Sequence, residues 1–486
     1  MRRTAPPIFT MTVLLRGILL LLAAFALSTA PGAGQAKPDT SATLVFNHVA
    51  VIDAEGLRPD QTVSIRGDRI LDVAYSKGAV TAPGARVIDA RGRYLIPGLW
   101  DMHAHLTFFG SERLPLFLIN GVTGVRDLGG IPDSIFLWRK IIARGGLLGP
   151  RIVAAGLSLS GPDPSGRTAP HIAVVRTAEE AQAAVRRNKQ LGADMIKVWS
   201  TIPRDAYFAA LAEARRLGLP VVGHLPVDVS LTEAVDSGQK GFEHSIGFPI
   251  AMSREQAGAL TRLRQAVHQM PPGGSLVQAM IDADVSALGS YDSVEAKAAI
   301  GRLASHGVWI CPTLTDTHAY TIMKDSLPGD PRLRYLPEAV RKQWVEEAKA
   351  MKPAEIAAWT ALFPAALRLV GEMRKGRVTL IAGTDAGSTY DLPGFDLHNE
   401  LALLVRAGLS PLEALTAGTK SAAEAAGLWD RAGMIKAGQL ADLVLLDANP
   451  LADITNTRRI VGVTAAGRYL DKAELERLRA RLLEAR

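Results

Sequence analysis

The stretch Tyr94-Leu95-Ile96-Pro97-Gly98-Leu99-Trp100-Asp101-Met102-His103-Ala104-His105 decides how the rest of the chain is read. A short apolar run ends in two histidines one residue apart. In an extended strand alternate side chains share a face, so His103 and His105 can reach one ion together. Two imidazoles do not complete a hydrolytic metal site, because a zinc-like ion takes at least three protein ligands and keeps one position for water. The other ligands must come from farther along the chain.

Working outward, short strands are expected at 43–52, 61–66, 69–74 and 86–89, parted by turns such as Arg66-Gly67-Asp68 and Ala82-Pro83-Gly84. The same pattern returns at 441–446, 460–465 and 468–470. Lone edges in either half would need pairing, so one small β-sandwich built from both ends is expected, from 37–96 and 431–486, with a terminal helix. Between them strands alternate with helical stretches, the signature of βα units. Candidate strands fall at 94–103, 121–127, 151–156, 194–199, 220–224, 241–244, 308–313 and 378–384. Eight is the number a closed barrel requires. The expected fold class is therefore α/β, a (β/α)8 TIM barrel over 97–430 carrying the small β-sandwich. Outer helices are expected at 177–191, 204–217 and 410–426, the first opening on a capping box at Thr177-Ala178-Glu179-Glu180. Two connections, near 248–294 and 315–375, are too long for simple crossovers and read as a lid or substrate wall.

The 486 residues are 48% hydrophobic and 21% charged, ordinary globular material with length for a barrel-sized core. The first 36 residues differ. Arg2, Arg3 and Arg16 precede an apolar run at 17–27, too short to span a bilayer, and small residues follow through Ala30 to Ala36. This reads as a signal peptide cleaved after Ala36 in preference to Ala30, placing the mature chain in the periplasm or outside the cell. Its loss removes three arginines, so the formal charge falls from +7 to +4, and no Lys/Arg-dense block is left for nucleic acid. No later segment resembles a membrane span, so stable membrane insertion after cleavage is not expected. Cys311 is the only cysteine, which excludes an intrachain disulfide and a Cys-based metal site.

The functional face of a parallel barrel is formed by the carboxyl ends of its strands. Ligand-type residues recur on five of the eight expected ends: His103 and His105 on the first, Lys197 on the fourth, His224 on the fifth, His244 on the sixth and Asp385 on the eighth. A single strand-end histidine is more often a core residue, and an aspartate after Gly-Thr can merely cap a turn. It is their recurrence that carries weight. Alternation puts Lys197 on the face opposite Ile196 and Val198, pointing inward, where an unpaired ammonium is costly. Either a carboxylate neutralises it or carbon dioxide carbamylates it into an anionic ligand.

Pro-Gly-Leu-Trp-Asp-Met-His-Ala-His, Ile-Lys-Val, Gly-His-Leu, Phe-Glu-His-Ser, Gly-Thr-Asp-Ala-Gly and the closing Ala-Gly-Met-Ile-Lys-Ala-Gly-Gln-Leu-Ala-Asp-Leu-Val-Leu-Leu resemble the metal-dependent amidohydrolase superfamily, in its imidazolonepropionase-like and Xaa-Pro-dipeptidase-like branch. The resemblance implies two divalent metal ions, zinc by expectation, with His103, His105 and Asp385 on one, His224 and His244 on the other, and carbamylated Lys197 bridging. It further implies hydrolysis of a small amide, a dipeptide or an N-acyl amino acid, with Asp385 as general base. Lys197 and the leader argue against a cytosolic imidazolonepropionase. A lactonase or phosphotriester hydrolase is the alternative, and a non-catalytic binding protein is disfavoured because all six ligands are present. Tyr207, Arg126, His171, His318 and His398 are further candidates for contact with a small-molecule or peptide substrate. A homo-oligomer is expected.

Overall fold

The apolar run at 94–103 forms two strands, divided at Gly98. A computed structural model describes residues 43–79, 81–163, 168–271 and 273–484; the expected leader lies outside them. Tyr94–Pro97 pairs antiparallel with Leu443–Leu446, whereas Leu99–Ala104 pairs parallel with Val122–Asp127. Pro97 has no N–H with which to extend the first ladder. A Cβ on Gly98 would stand 1.9 Å from Thr123 Oγ1, so only glycine lets the strands approach this closely. The chain thus passes from one sheet into another just before the His-x-His pair.

One sheet draws its strands from both ends of the chain. Arg468–Asp471, Ile460–Ala465, Leu443–Leu446, Tyr94–Pro97, Thr43–Asp53, Gly56–Arg66 and Arg69–Tyr75 are hydrogen-bonded in that order, and Arg86–Asp89 also pairs with Thr43–Asp53. The two layers expected of a sandwich are therefore joined as one sheet. It bends far enough for the rings of Tyr469 and Phe46, from well-separated strands, to meet at 5.4 Å. Val63, Ile65, Leu95, Leu443 and Leu445 complete its core.

The α/β body contains a strand at each of the eight expected places. Leu99–Ala104, Val122–Asp127 and Arg151–Ala154 form one parallel sheet. Ile196–Val198, Val221–Gly223, Gly241–Glu243, Trp309–Cys311 and Thr379–Leu380 belong to a second, together with Ser158–Ser160 and Ile172–Val174, which the sequence pattern did not reveal. Backbone hydrogen bonds cross both gaps between the sheets: Asp194 N donates to Ala154 O at 2.9 Å, Met102 N to Ala382 O at 3.0 Å, and Asp385 N to His103 O at 2.9 Å. Trp100, Met102, Val153, Val222, Cys311 and Ile381, drawn from both sheets, fill one buried cluster.

The helix expected at 410–426 is two, Pro411–Ala417 and Lys420–Ala425, because Gly418 turns its carbonyl to Trp100 N at 2.8 Å. In the first long insertion, Phe248–Ala251, Gln256–His268 and Leu276–Leu288 pack on a core of their own that includes Ile250, Leu263, Val267 and Met280. The second supplies Leu314–Ser326, Glu338–Ala350 and Pro353–Lys375. Ile281 of the first packs with Trp359 and Leu362 of the second. Pro353–Lys375 is long and apolar enough by composition to cross a membrane, which corrects the sequence reading. Its Trp359, Leu362, Phe363, Ala366, Leu369, Val370 and Met373 are buried at helical spacing, the stripe of an amphipathic core helix.

Candidate metal centre

The strand ends bring the expected ligands together. Asp385 Oδ1 lies 3.2 Å from His103 Nε2 and 3.0 Å from His105 Nε2, while its Oδ2 lies 4.0 Å from His244 Nε2. The His103 and His244 rings are 4.9 Å apart, and those of His224 and His244 5.2 Å. Lys197, 1% exposed, is close enough for its charge to act on His103, His224, His244 and Asp385. Ile196 and Val198 are in the outer core, so Lys197 does point the other way.

Local structure aims these groups. His105 Nδ1–H donates to Gly129 O at 3.1 Å, His224 Nδ1 shares a hydrogen bond with Ser200 Oγ at 3.0 Å, and His244 Nδ1 one with Thr313 Oγ1 at 2.7 Å. Holding Nδ1 in this way leaves each Nε2 free for a cation. His244 and Asp385 have left-handed backbone, φ 61° and 72°, strain that functional sites commonly retain. Asp101, fully buried, accepts from Thr384 Oγ1 at 2.7 Å and ties the first strand to the eighth. Pairing is irregular between Asp101 and Ala104, so simple alternation does not describe the His-x-His pair: Met102 fills the interior and His103 still faces the site.

The donor set, imidazole nitrogens and carboxylate oxygens around a buried lysine, fits a divalent cation. His103, His105 and Asp385 form one group with metal-ligand spacing. Lys197 Nζ is buried with no hydrogen-bond partner, a costly state for an ammonium. Burial, against the opposing charges of Glu243 and Asp385, pulls its pKa down to about 8.

Several residues that sequence reasoning passed over adjoin this centre. Glu243 Oε2 is 3.2 Å from His103 Nδ1, although not in hydrogen-bond geometry. Asp316 Oδ2 is 3.8 Å from His244 Nδ1, and burial, then the charge of Asp385, push its carboxyl up to about 8. Glu243 ends a parallel strand and Asp316 follows one, which was the available signal. Cys311 also comes within ligand reach of His103 and Glu243, but burial drives its thiol well up and disfavours thiolate.

Of the substrate-contact candidates, three are otherwise engaged. Arg126, fully buried, places Nη2 2.7 Å from both Glu243 oxygens in a buried ion pair. Tyr207 is buried with its hydroxyl donating to Gln239 Oε1 at 2.7 Å. His398 uses one ring nitrogen on Thr457 Oγ1 and the other on Asn120 O, at 2.9 and 3.0 Å. His318 packs on Phe363, 4.8 Å between centroids, on the other side of its helix from Asp316. His171 alone stays near the centre, its ring 6.5 Å from that of His105 and 5.9 Å from that of Phe108. Burial, then the charge of His105, lower its pKa to about 4.

Known proteins resemble this chain in sequence and in fold. An imidazolonepropionase of Anaeromyxobacter sp. (strain K) is 39% identical over 81 residues, 15% of this chain; the match spans 19% of that enzyme's length. The solved structure of a bottromycin amidohydrolase superposes with a TM-score of 0.72 at 26% identity, covering 91% of this chain and 90% of that one. A Xaa-Pro dipeptidase with methionine bound in its active site gives 0.64 at 20% identity, covering 88% of this chain and 100% of that one, a likeness of fold. The family model described as "Amidohydrolase family" matches residues 94–470, from the strand that leads into the His-x-His pair to the last strand of the small domain, and the chain belongs to that family.

Proposed function

We propose that this chain is an exported hydrolase of carbon–nitrogen bonds that cleaves a small amide, a dipeptide or an N-acyl amino acid, at a two-zinc centre. The carrying observation is the meeting of four histidines, Lys197 and Asp385 at the ends of parallel strands. The backbone bonds that bridge the two parallel sheets, and the interior cluster they share, support their closure as one (β/α)8 barrel with the site at its carboxyl mouth. The resemblance and the amidohydrolase and dipeptidase neighbours support amide bonds as the target. The apolar run and small residues ahead of position 37 support export. The mature chain is proposed to act as a homo-oligomer.

His103, His105 and Asp385 would hold one cation, His224 and His244 the other, and Lys197 as its carbamate would serve both. Bound there, the ions supply Lewis acidity and bring the pKa of water toward neutrality. Asp385 has its two oxygens turned to different histidines, so one can stay on a ligand position while the other takes a proton from the attacking water. The same carboxyl then hands that proton to the departing amine. His171, uncharged at neutral pH, stands beside Phe108 where it can line the substrate.

Asp385→Asn tests the assignment on panels of dipeptides, N-acyl amino acids, lactones and phosphotriesters. Turnover of an amide should fall at least about 100-fold with the fold intact. Retained turnover refutes the role of Asp385, and wild-type turnover confined to lactones or phosphotriesters replaces the amide reading.

A further inference from the structure

The second insertion does more than cover the barrel. On its helix Leu314–Ser326, Asp316 and Tyr320 are four residues apart and share one face. That face looks onto the metal centre, since Asp316 approaches His244 at 3.8 Å. Tyr320 Oη lies 3.4 Å from Ser388 Oγ, three residues beyond Asp385, and Asp316, Asp385 and Asp391 are all near enough for their charges to act on the phenol. Its ring is stacked on Trp359 with centroids 4.4 Å apart and planes within 10°. Trp359 is wedged with Leu362 against Ile281 of the first insertion. Both insertions therefore fix the position of one phenol at the edge of the site.

That hydroxyl is underused. Among the described residues its one hydrogen bond, to Ser388, is at the long end of the range, whereas Tyr207 spends its own on Gln239 at 2.7 Å. Burial and the surrounding carboxylates keep the phenol protonated well above neutral pH. A rigid, neutral donor with spare capacity beside a metal ligand can meet charge as it develops on a reacting oxygen without first having to reorganise.

We propose that Tyr320 is a catalytic residue of this enzyme, donating its phenolic hydrogen bond to the substrate oxygen that becomes negative when the amide carbonyl is attacked. The proposal rests on the hydrolytic reading given above. It assigns the second insertion a chemical task as well as a covering one.

Tyr320→Phe removes the donor and keeps the ring on Trp359. The expected result is a fall in kcat of about 100-fold, with KM, bound zinc and thermal stability unchanged. Calorimetry on the zinc-loaded protein with a phosphinate dipeptide analogue, which presents a tetrahedral oxygen, should show a comparable loss of affinity, while a product amino acid binds both forms equally. A role confined to packing would leave kcat and analogue affinity within about threefold of wild type, and that result overturns the proposal. If the wild-type protein hydrolyses no amide, the amide reading fails by itself; the analogue titration still decides whether the hydroxyl of Tyr320 meets a tetrahedral oxygen.

Discussion

Replacing Arg126 by methionine should damage both stability and metal loading, through Glu243. Both members of this pair are fully buried, with Arg126 Nη2 2.7 Å from each Glu243 oxygen and Nε 2.5 Å from Met102 O. Removing the guanidinium strands a carboxylate in the interior, and breaking a buried pair in this way costs about 3–5 kcal/mol. Lys197 is the other cation that acts on Glu243. The charge of Arg126 lowers the Lys197 pKa and that of Glu243 raises it. Losing Arg126 therefore raises Lys197, which would then keep its proton and withhold the amine that the proposed carbamylation requires. Arg126→Met should lower the unfolding free energy by that amount in urea titrations followed by circular dichroism, and reduce bound zinc measured by atomic emission. The double variant Arg126→Met/Glu243→Gln carries neither buried charge and should recover most of the stability. A single-variant loss below about 1 kcal/mol, the scale of an exposed pair, would refute the reasoning.

Two further expectations concern stability away from the candidate metal centre. Asp284, fully buried on the first insertion, accepts from Gly247 N at 2.7 Å, and burial raises its carboxyl from 3.8 to about 7. Its stabilising contribution is thus complete below the unfolded value and is lost as pH rises toward 7, at up to about 1.4 kcal/mol per pH unit; Asp284→Asn should flatten that slope in denaturation curves taken across the interval, and an unchanged slope would remove Asp284 as its source. His398→Ala abandons two buried hydrogen bonds, one to Thr457 in the C-terminal segment and one to Asn120 in the α/β body, and should cost about 2–4 kcal/mol by denaturation, with kcat per folded molecule unchanged; a fall in kcat at normal stability would restore His398 as a substrate contact.

How much of this was legible in the sequence depends on the range of the interaction that fixes each feature. Period-two and βα patterns are local, so eight of the ten strands of the two parallel sheets among the described residues, the β segments at both ends of the chain and the positions of His103, His105, Lys197, His224, His244 and Asp385 on or just after strands could be read directly. Local pattern also marked the two insertions, since their lengths exceed any simple crossover. It could not place the break at Gly98, which is set by how closely Thr123 approaches, nor the split at Gly418, whose carbonyl is claimed by Trp100. The fates of Arg126, Tyr207 and His398 were likewise invisible, because each is decided by a partner 117, 32 or 278 residues away. The sequence by itself determined which chemical groups stand at the ends of which strands. Only the tertiary structure decided which polar groups were already spent on one another and which, like Lys197 and Tyr320, remained short of a partner, because hydrogen-bonding capacity in an interior is allotted by distance in space.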